Sequence, residues 1–206
     1  MSLNNHSTTI RFGTDGWRGI IAKDFTFANV VRVTQAIAQY METTYSRDRP
    51  VLVAYDTRFF ADQFAQTAAS VLAALGWQVQ VCDRDCPTPV IAHAARYGNT
   101  AGALMFTASH NPASYCGIKY IPDYGGPATT AITDQITANL AQIEAQPVPS
   151  HAIAPMTSFD PSADYLQFLY SRLDIDAIRC AHLKVTYEAL YSTSRGYLDT
   201  ALVHCG

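Results

Sequence analysis

The sequence predicts an α/β fold: a mixed, mostly parallel sheet of about four strands with helices on both faces, followed by an incomplete second α/β unit. Three observations carry this expectation. Short apolar runs alternate with segments of helical period from Phe27 to Ala145. Two of the runs, Val51–Tyr55 and Ala101–Phe106, are almost uninterrupted by polar residues, as in interior parallel strands covered on both sides. Then the stretch from Gln146 to Pro155 carries three prolines and little periodicity, which marks a linker. The expected division is a first domain over residues 1–146, a linker over 147–158, and the start of a second domain over 159–206.

Each element has its own signal. Ile10–Phe12 reads as a short strand, broken by Gly13, Gly16 and Gly19, whose backbones can approach an anion or turn with positive φ. Thr26 is placed to cap a helix from Phe27, in which Val30, Val31, Ile37, Ala38 and Met41 follow helical spacing. Asp56-Thr57-Arg58 ends the strand that begins at Val51, either as a solvated ion pair or as an arginine set beside a cleft. Ala61 to Leu75 is an alanine-rich helix stopped by Gly76. Trp77–Cys82 alternates as a strand, and Val90–Tyr97 is a short helix. Gly117–Ile121 is a strand whose Lys119 would be an edge-protecting residue if it served no chemistry. Thr133–Ala145 is a helix. Beyond the linker, helices are expected over Ala163–Leu173, near Ala177-Ile178 and from Tyr197, with a strand over His182–Tyr187.

Composition narrows the function. The chain has 206 residues, 49% of them apolar and 15% charged, enough for a core of ordinary size. A net charge of −3 without a basic block argues against nucleic acid as a partner. No apolar run approaches the roughly 20 residues needed to span a bilayer. The polar N-terminus lacks the apolar core of a signal peptide. Five irregularly spaced cysteines without a Cys-x-x-Cys argue against structural zinc and for reduced thiols, so the expected location is cytoplasmic.

The chemistry gathers at Thr107-Ala108-Ser109-His110-Asn111-Pro112, a polar loop directly after an apolar strand. Binding loops of α/β folds collect at such carboxyl ends. Ser109 is the natural reactive group. A hydrolase would need a histidine held by a carboxylate and a Gly-x-Ser-x-Gly elbow, which is absent. The Gly13-Thr14-Asp15-Gly16 turn is no triphosphate-binding P-loop either. A serine that carries a phosphoryl group needs surrounding cations and hydrogen-bond donors. Arg18, Lys119, His110 and Asn111 are residues of those types.

Phe12-Gly13-Thr14-Asp15-Gly16-Trp17-Arg18-Gly19, Asp56-Thr57-Arg58, the serine loop and Gly117-Ile118-Lys119, in this order and spacing, resemble the α-D-phosphohexomutase family. The match runs from about Ile10 to the end of the first domain. The resemblance implies interconversion of hexose 1-phosphate and hexose 6-phosphate through a phosphoserine and a hexose 1,6-bisphosphate intermediate. It implies Ser109, Lys119, Arg18 and His110 as catalytic residues and Asn111, Arg58 and Thr14 as substrate- or phosphate-binding residues. It also implies Mg²⁺, with the phosphate of Ser109 as one ligand. Arg18 is expected to act electrostatically first, because a guanidinium is a poor base. The family's other metal ligands (an Asp-Gly-Asp-x-Asp-Arg loop), its sugar-selecting loop and its second phosphate grip have no counterpart here. The chain alone is therefore expected to be inactive. Tyr124-Gly125-Gly126-Pro127-Ala128 resembles the glucose/mannose branch, whereas Phe12–Gly16 is also common in the phosphoglucosamine branch. The competing expectation is a non-catalytic phosphate-binding or interaction module.

Overall fold

The computed structural model describes residues 10–13, 16–143 and 155–206. Its sheet has six strands, two more than the sequence suggested, in the order β1-β5-β4-β2-β3-β6. These are β1 Trp17–Ile20, β2 Val51–Tyr55, β3 Val79–Cys82, β4 Ala103–Phe106, β5 Tyr115–Ile121 and β6 Met156–Phe159. β2 pairs in parallel with both β3 and β4, and β3 pairs in parallel with β6. β5 runs antiparallel to β4 and to β1, so the sheet is mixed.

Two of the strands, β1 and β6, lie where the sequence signal is weak. The first strand is Trp17–Ile20 and not Ile10–Phe12, which is irregular, although Ile10 and Phe12 are both buried. β6 falls at the end of the proposed linker: residues 156–158 pair with β3 although Met-Thr-Ser-Phe has no alternation of apolar and polar positions. The rest of that linker, residues 147–154, lies outside the described residues apart from Pro155, whose carbonyl accepts from Val79 N at 3.1 Å.

The helices follow from caps and apolar stripes. α1 Phe27–Thr44 starts at Thr26, whose side chain accepts from Asn29 N at 3.2 Å. With α2 Ala61–Ala74 and α4 Thr130–Gln142 it covers one face of the sheet. That core holds Val30, Ile37, Met41, Phe64, Leu72 and Ile136 against Val53, Leu104, Phe106 and Ile118. The other face is smaller. There α3 Thr88–Tyr97 sets Val90, Ile91 and Ala95 against Leu52, Ala54, Met105 and Ile121. Because side chains alternate along a strand, Met105 and its cross-strand partner Lys119 share this second face.

The segment after β6 packs on the same face. α5 Ser162–Tyr170 lies against α3, with Phe168 4.7 Å from His93 between ring centroids. α6 Ile175–Cys180 and α7 Leu198–Cys205 follow. Tyr197 is buried in the second core, under the guanidinium of Arg84, and Arg195 pairs with Asp85 at 2.9 Å. These contacts tie residues 195–197 to the turn after β3. The strand expected over His182–Tyr187 does not form. Its alternating Leu183 and Val185 are exposed, and no edge of the sheet is paired with it. Among the described residues no helix is long and apolar enough to cross a membrane.

Candidate active site

The serine loop leaves β4 at Thr107, next to the carboxyl end of β2. Asp56 N donates to Phe106 O at 3.0 Å, which brings Asp56-Thr57-Arg58 beside the loop. Thr107 N donates to Gly117 O at 3.0 Å and Ile21 N to Ser114 O at 2.8 Å, fixing the loop's start and end to β5 and to the segment after β1.

Within the loop Ser109 has φ +53°. A residue with a Cβ pays roughly 1–2 kcal/mol to adopt this left-handed conformation. The local structure offsets that cost by pinning both backbone groups of the serine. Its N–H donates to Thr107 Oγ1 at 3.0 Å, and its carbonyl accepts from Arg58 Nη2 at 2.8 Å. The neighbouring Asn111 N donates to Ala108 O at 3.0 Å. Ser109 is exposed at the loop tip, and its Oγ lies 3.5 Å from His110 Nδ1. That distance is the outer limit of a hydrogen bond, so the imidazole neighbours the hydroxyl without being locked to it.

The two catalytic cations of the sequence reading sit on β1 and β5. Arg18 faces Gly117 across the strand pair, and its Nη1 donates to Asn111 Oδ1 at 2.8 Å. Gly117 makes the approach possible, since a Cβ there would lie 2.9 Å from Arg18 Cγ. Gly16, at φ +86°, returns the chain from the glycine turn; a Cβ on it would lie 2.1 Å from Ile118 O. Lys119 lies in β5, between β1 and β4, and is therefore not an edge-strand lysine. It is half-buried, and Thr88 lines both its surroundings and the cleft that contains Ser109.

That cleft has a volume of about 600 Å³ and is lined by Ser109, Asn111, Arg58, Thr88, Ser192 and Thr193 among others. The structure thus brings Ser109 beside His110 and Asn111 beside Arg18, with Lys119 in an adjoining pocket that shares Thr88 with the cleft. Thr14 lies outside the described residues. Ser192 and Thr193 are contributed by the segment after α6 and have no motif that singles them out. Phe59, stacked on Phe60 at 4.1 Å, forms an exposed aromatic wall of the cleft.

Arg58 is turned into the serine loop. Nη1 donates to Pro112 O at 2.9 Å and Tyr115 O at 3.0 Å. Nη2 donates to Ser109 O and, at 2.7 Å, to Asn111 O. Nε faces Asp56 Oδ2 at 3.4 Å. A guanidinium has five N–H groups; the four on Nη1 and Nη2 donate to loop carbonyls, and Nε lies beside the Asp56 carboxylate. Arg58 is thus bonded through both Nη atoms to the backbone of the serine loop.

Residues 9–147 match the family model described as phosphoglucomutase/phosphomannomutase, alpha/beta/alpha domain I. The chain belongs to this phosphohexomutase family. A phosphoglucosamine mutase from Caldanaerobacter subterraneus subsp. tengcongensis is 31% identical over 185 residues, which is 89% of this chain and 40% of that protein. A phosphoglucomutase from Komagataeibacter xylinus is 29% identical over 91% of this chain and 37% of its own length. A solved structure from Thermus thermophilus, provisionally described as a phosphomannomutase, superposes with a TM-score of 0.84. It is 33% identical, with coverage of 95% of this chain and 43% of that one. The chain thus spans about two fifths of the length of these phosphohexomutase relatives.

Proposed function

We propose that this chain carries the phosphoryl-accepting serine of an enzyme interconverting hexose 1-phosphate and hexose 6-phosphate, with glucose or mannose as the hexose. The observation that supports this reading best is the backbone of Ser109. It is held at φ +53° by bonds to both its N–H and its carbonyl, with the side chain exposed at a polar cleft. A loop fixed in this way presents one hydroxyl with little freedom to lose on reaction.

The exchange balances without a redox partner. A hexose 1,6-bisphosphate loses one phosphoryl group as its P–O bond to the sugar breaks and a bond from phosphorus to Ser109 Oγ forms. The serine proton passes to the departing sugar oxygen, leaving a hexose monophosphate. The reverse step, from phosphoserine to the free hydroxyl of an incoming hexose 1-phosphate, regenerates the bisphosphate and the free serine, so the net change is hexose 1-phosphate to hexose 6-phosphate. Arg18 and Lys119 supply positive charge for the transferring group, Asn111 orients Arg18, and His110 neighbours the hydroxyl. Lys119 is the candidate for moving a proton at the sugar hydroxyl.

Among the described residues no group of three or more His, Cys, Asp or Glu side chains gathers to hold a metal ion. The chain fits the role of one Mg²⁺ ligand, through a phosphoryl oxygen on Ser109, and not that of a complete shell. The ion's contribution when bound would be to offset charge on the transferring group.

Turnover is the test. In protein carrying this chain with the further length seen in its relatives, Ser109→Ala should lower glucose 1-phosphate to glucose 6-phosphate conversion by roughly 10³-fold or more, as loss of a covalent nucleophile does. Conversion unchanged by the substitution would refute the phosphoserine role.

A further inference from the structure

We propose that Arg58 is a positioning residue for phosphoryl transfer: it holds Ser109 in its left-handed backbone conformation and does not touch the phosphate. The inference rests on the function proposed above, because phosphoryl transfer to Ser109 is one of its readouts. Its structural basis is separate. Arg58 leaves the end of β2 and enters the concave side of a loop that belongs to β4 and β5. There one planar group bonds four carbonyls around the turn: Ser109, Asn111, Pro112 and Tyr115. Asp56 fixes the guanidinium from behind through Nε and fixes the arginine backbone as well, since Arg58 N donates to Asp56 Oδ1 at 2.9 Å.

Geometry makes arginine necessary here. The four carbonyls converge on the two Nη atoms of a flat fork whose N–H directions are fixed relative to one another. A lysine ammonium has the same charge and three donors around a single point, so it cannot span the same turn. The Asp56 and Arg58 side chains are only 16% and 14% exposed, so water competes weakly for these bonds. Losing them would free the carbonyl of Ser109 and release the backbone to the extended or right-handed conformations that a serine prefers. The hydroxyl would then leave its present position at the edge of the cleft, beside His110 Nδ1.

The experiment compares wild type, Arg58→Lys and Asp56→Asn by two measurements. The first is the rate at which Ser109 becomes phosphorylated by glucose 1,6-bisphosphate over a range of sugar concentrations. Arg58→Lys should reduce the maximal rate about 100-fold, the scale of a misplacement near 1 Å, while half-saturation moves less than about 3-fold. Asp56→Asn, which replaces only the carboxylate behind the guanidinium, should act in the same direction and about 10-fold. The second is amide hydrogen exchange, which needs no phosphorylation. Protection at the bonded amides of Ser109 and Asn111 should fall in both variants while β2 and β4 keep theirs.

A raised half-saturation with an unchanged maximal rate would make Arg58 a phosphate ligand and overturn the proposal. Unchanged exchange in the serine loop would overturn it as well. If Arg58→Lys does not fold, Asp56→Asn decides by the same two criteria. If wild type takes up no phosphate, the proposed function fails while the exchange measurement still judges the clamp.

Discussion

Gly117→Ala should cost about 3 kcal/mol of stability and disable the serine loop in the same step. A Cβ on residue 117 would lie 2.6 Å from Thr107 O, 2.8 Å from Trp17 O and 2.9 Å from Arg18 Cγ. The first two are backbone atoms of the neighbouring strand and loop, so no rotamer change relieves them. Relief requires β5 to move away from both neighbours, which strains the Thr107 N to Gly117 O bond at the loop's entry. The same movement shifts Arg18 from Asn111. Phosphoryl transfer to Ser109 should therefore fall on the order of 100-fold in whatever fraction remains folded. Gly13→Ala is the control, because its Cβ would meet nothing nearer than Gly16 O at 3.7 Å. Urea denaturation should separate the two variants by roughly 2 kcal/mol or more. Equal midpoints would show that β5 adapts to the added methyl without disturbing its neighbours.

Alkaline pH should unfold the protein through groups buried in neutral form. Cys116 is fully buried on β5, and burial pushes its thiol up from 9.0 to about 12. Burial, with the hydrogen bond to Asp123 adding to it, pushes Tyr45 from 10.0 to about 12. Tyr120 shifts upward too, first through burial. In each case the folded chain holds its proton more tightly than the unfolded chain does. The stabilisation is complete below the unfolded value and is lost as pH rises towards the folded one. For Cys116 the window is pH 9 to about 12, and about three decades at about 1.4 kcal/mol each give a loss of the order of 4 kcal/mol at its upper end. Cys116→Ala should flatten the fall in unfolding free energy across that window. Parallel profiles for the two proteins would assign the alkaline loss to other groups.

How far the sequence exposes this architecture depends on the range of the interactions involved. Val51–Tyr55 is legible because a strand buried on both faces must be apolar throughout. α1 is legible because Thr26 and the stripe from Val30 to Met41 are local signals. β1 is not, since Trp-Arg-Gly-Ile owes its pairing to β5, about a hundred residues further along the chain. β6 forms because the outer edge of β3 is open to a partner, which nothing in Met-Thr-Ser-Phe announces. The opposite error at His182–Tyr187 has the same origin: an alternating segment that pairs with no strand of the sheet leaves Leu183 and Val185 exposed. In the site, Ser109 and its loop stand out as a compact polar motif. Asp56-Thr57-Arg58 stands out as paired charges, but its role depends on carbonyls 51 to 57 residues away. Ser192 and Thr193 reach the cleft beside Arg195 and Tyr197, which pack on the turn after β3 and on the core under α3.

Ser109, alone among the hydroxyls around this cleft, is expected to accept a phosphoryl group. Peptide mass spectrometry of the protein after incubation with glucose 1,6-bisphosphate tests it most directly. A single phosphate should be found, located on Ser109 and absent from Ser109→Ala. Phosphate on Ser192 or Thr193, or none on Ser109 in folded protein, would contradict it.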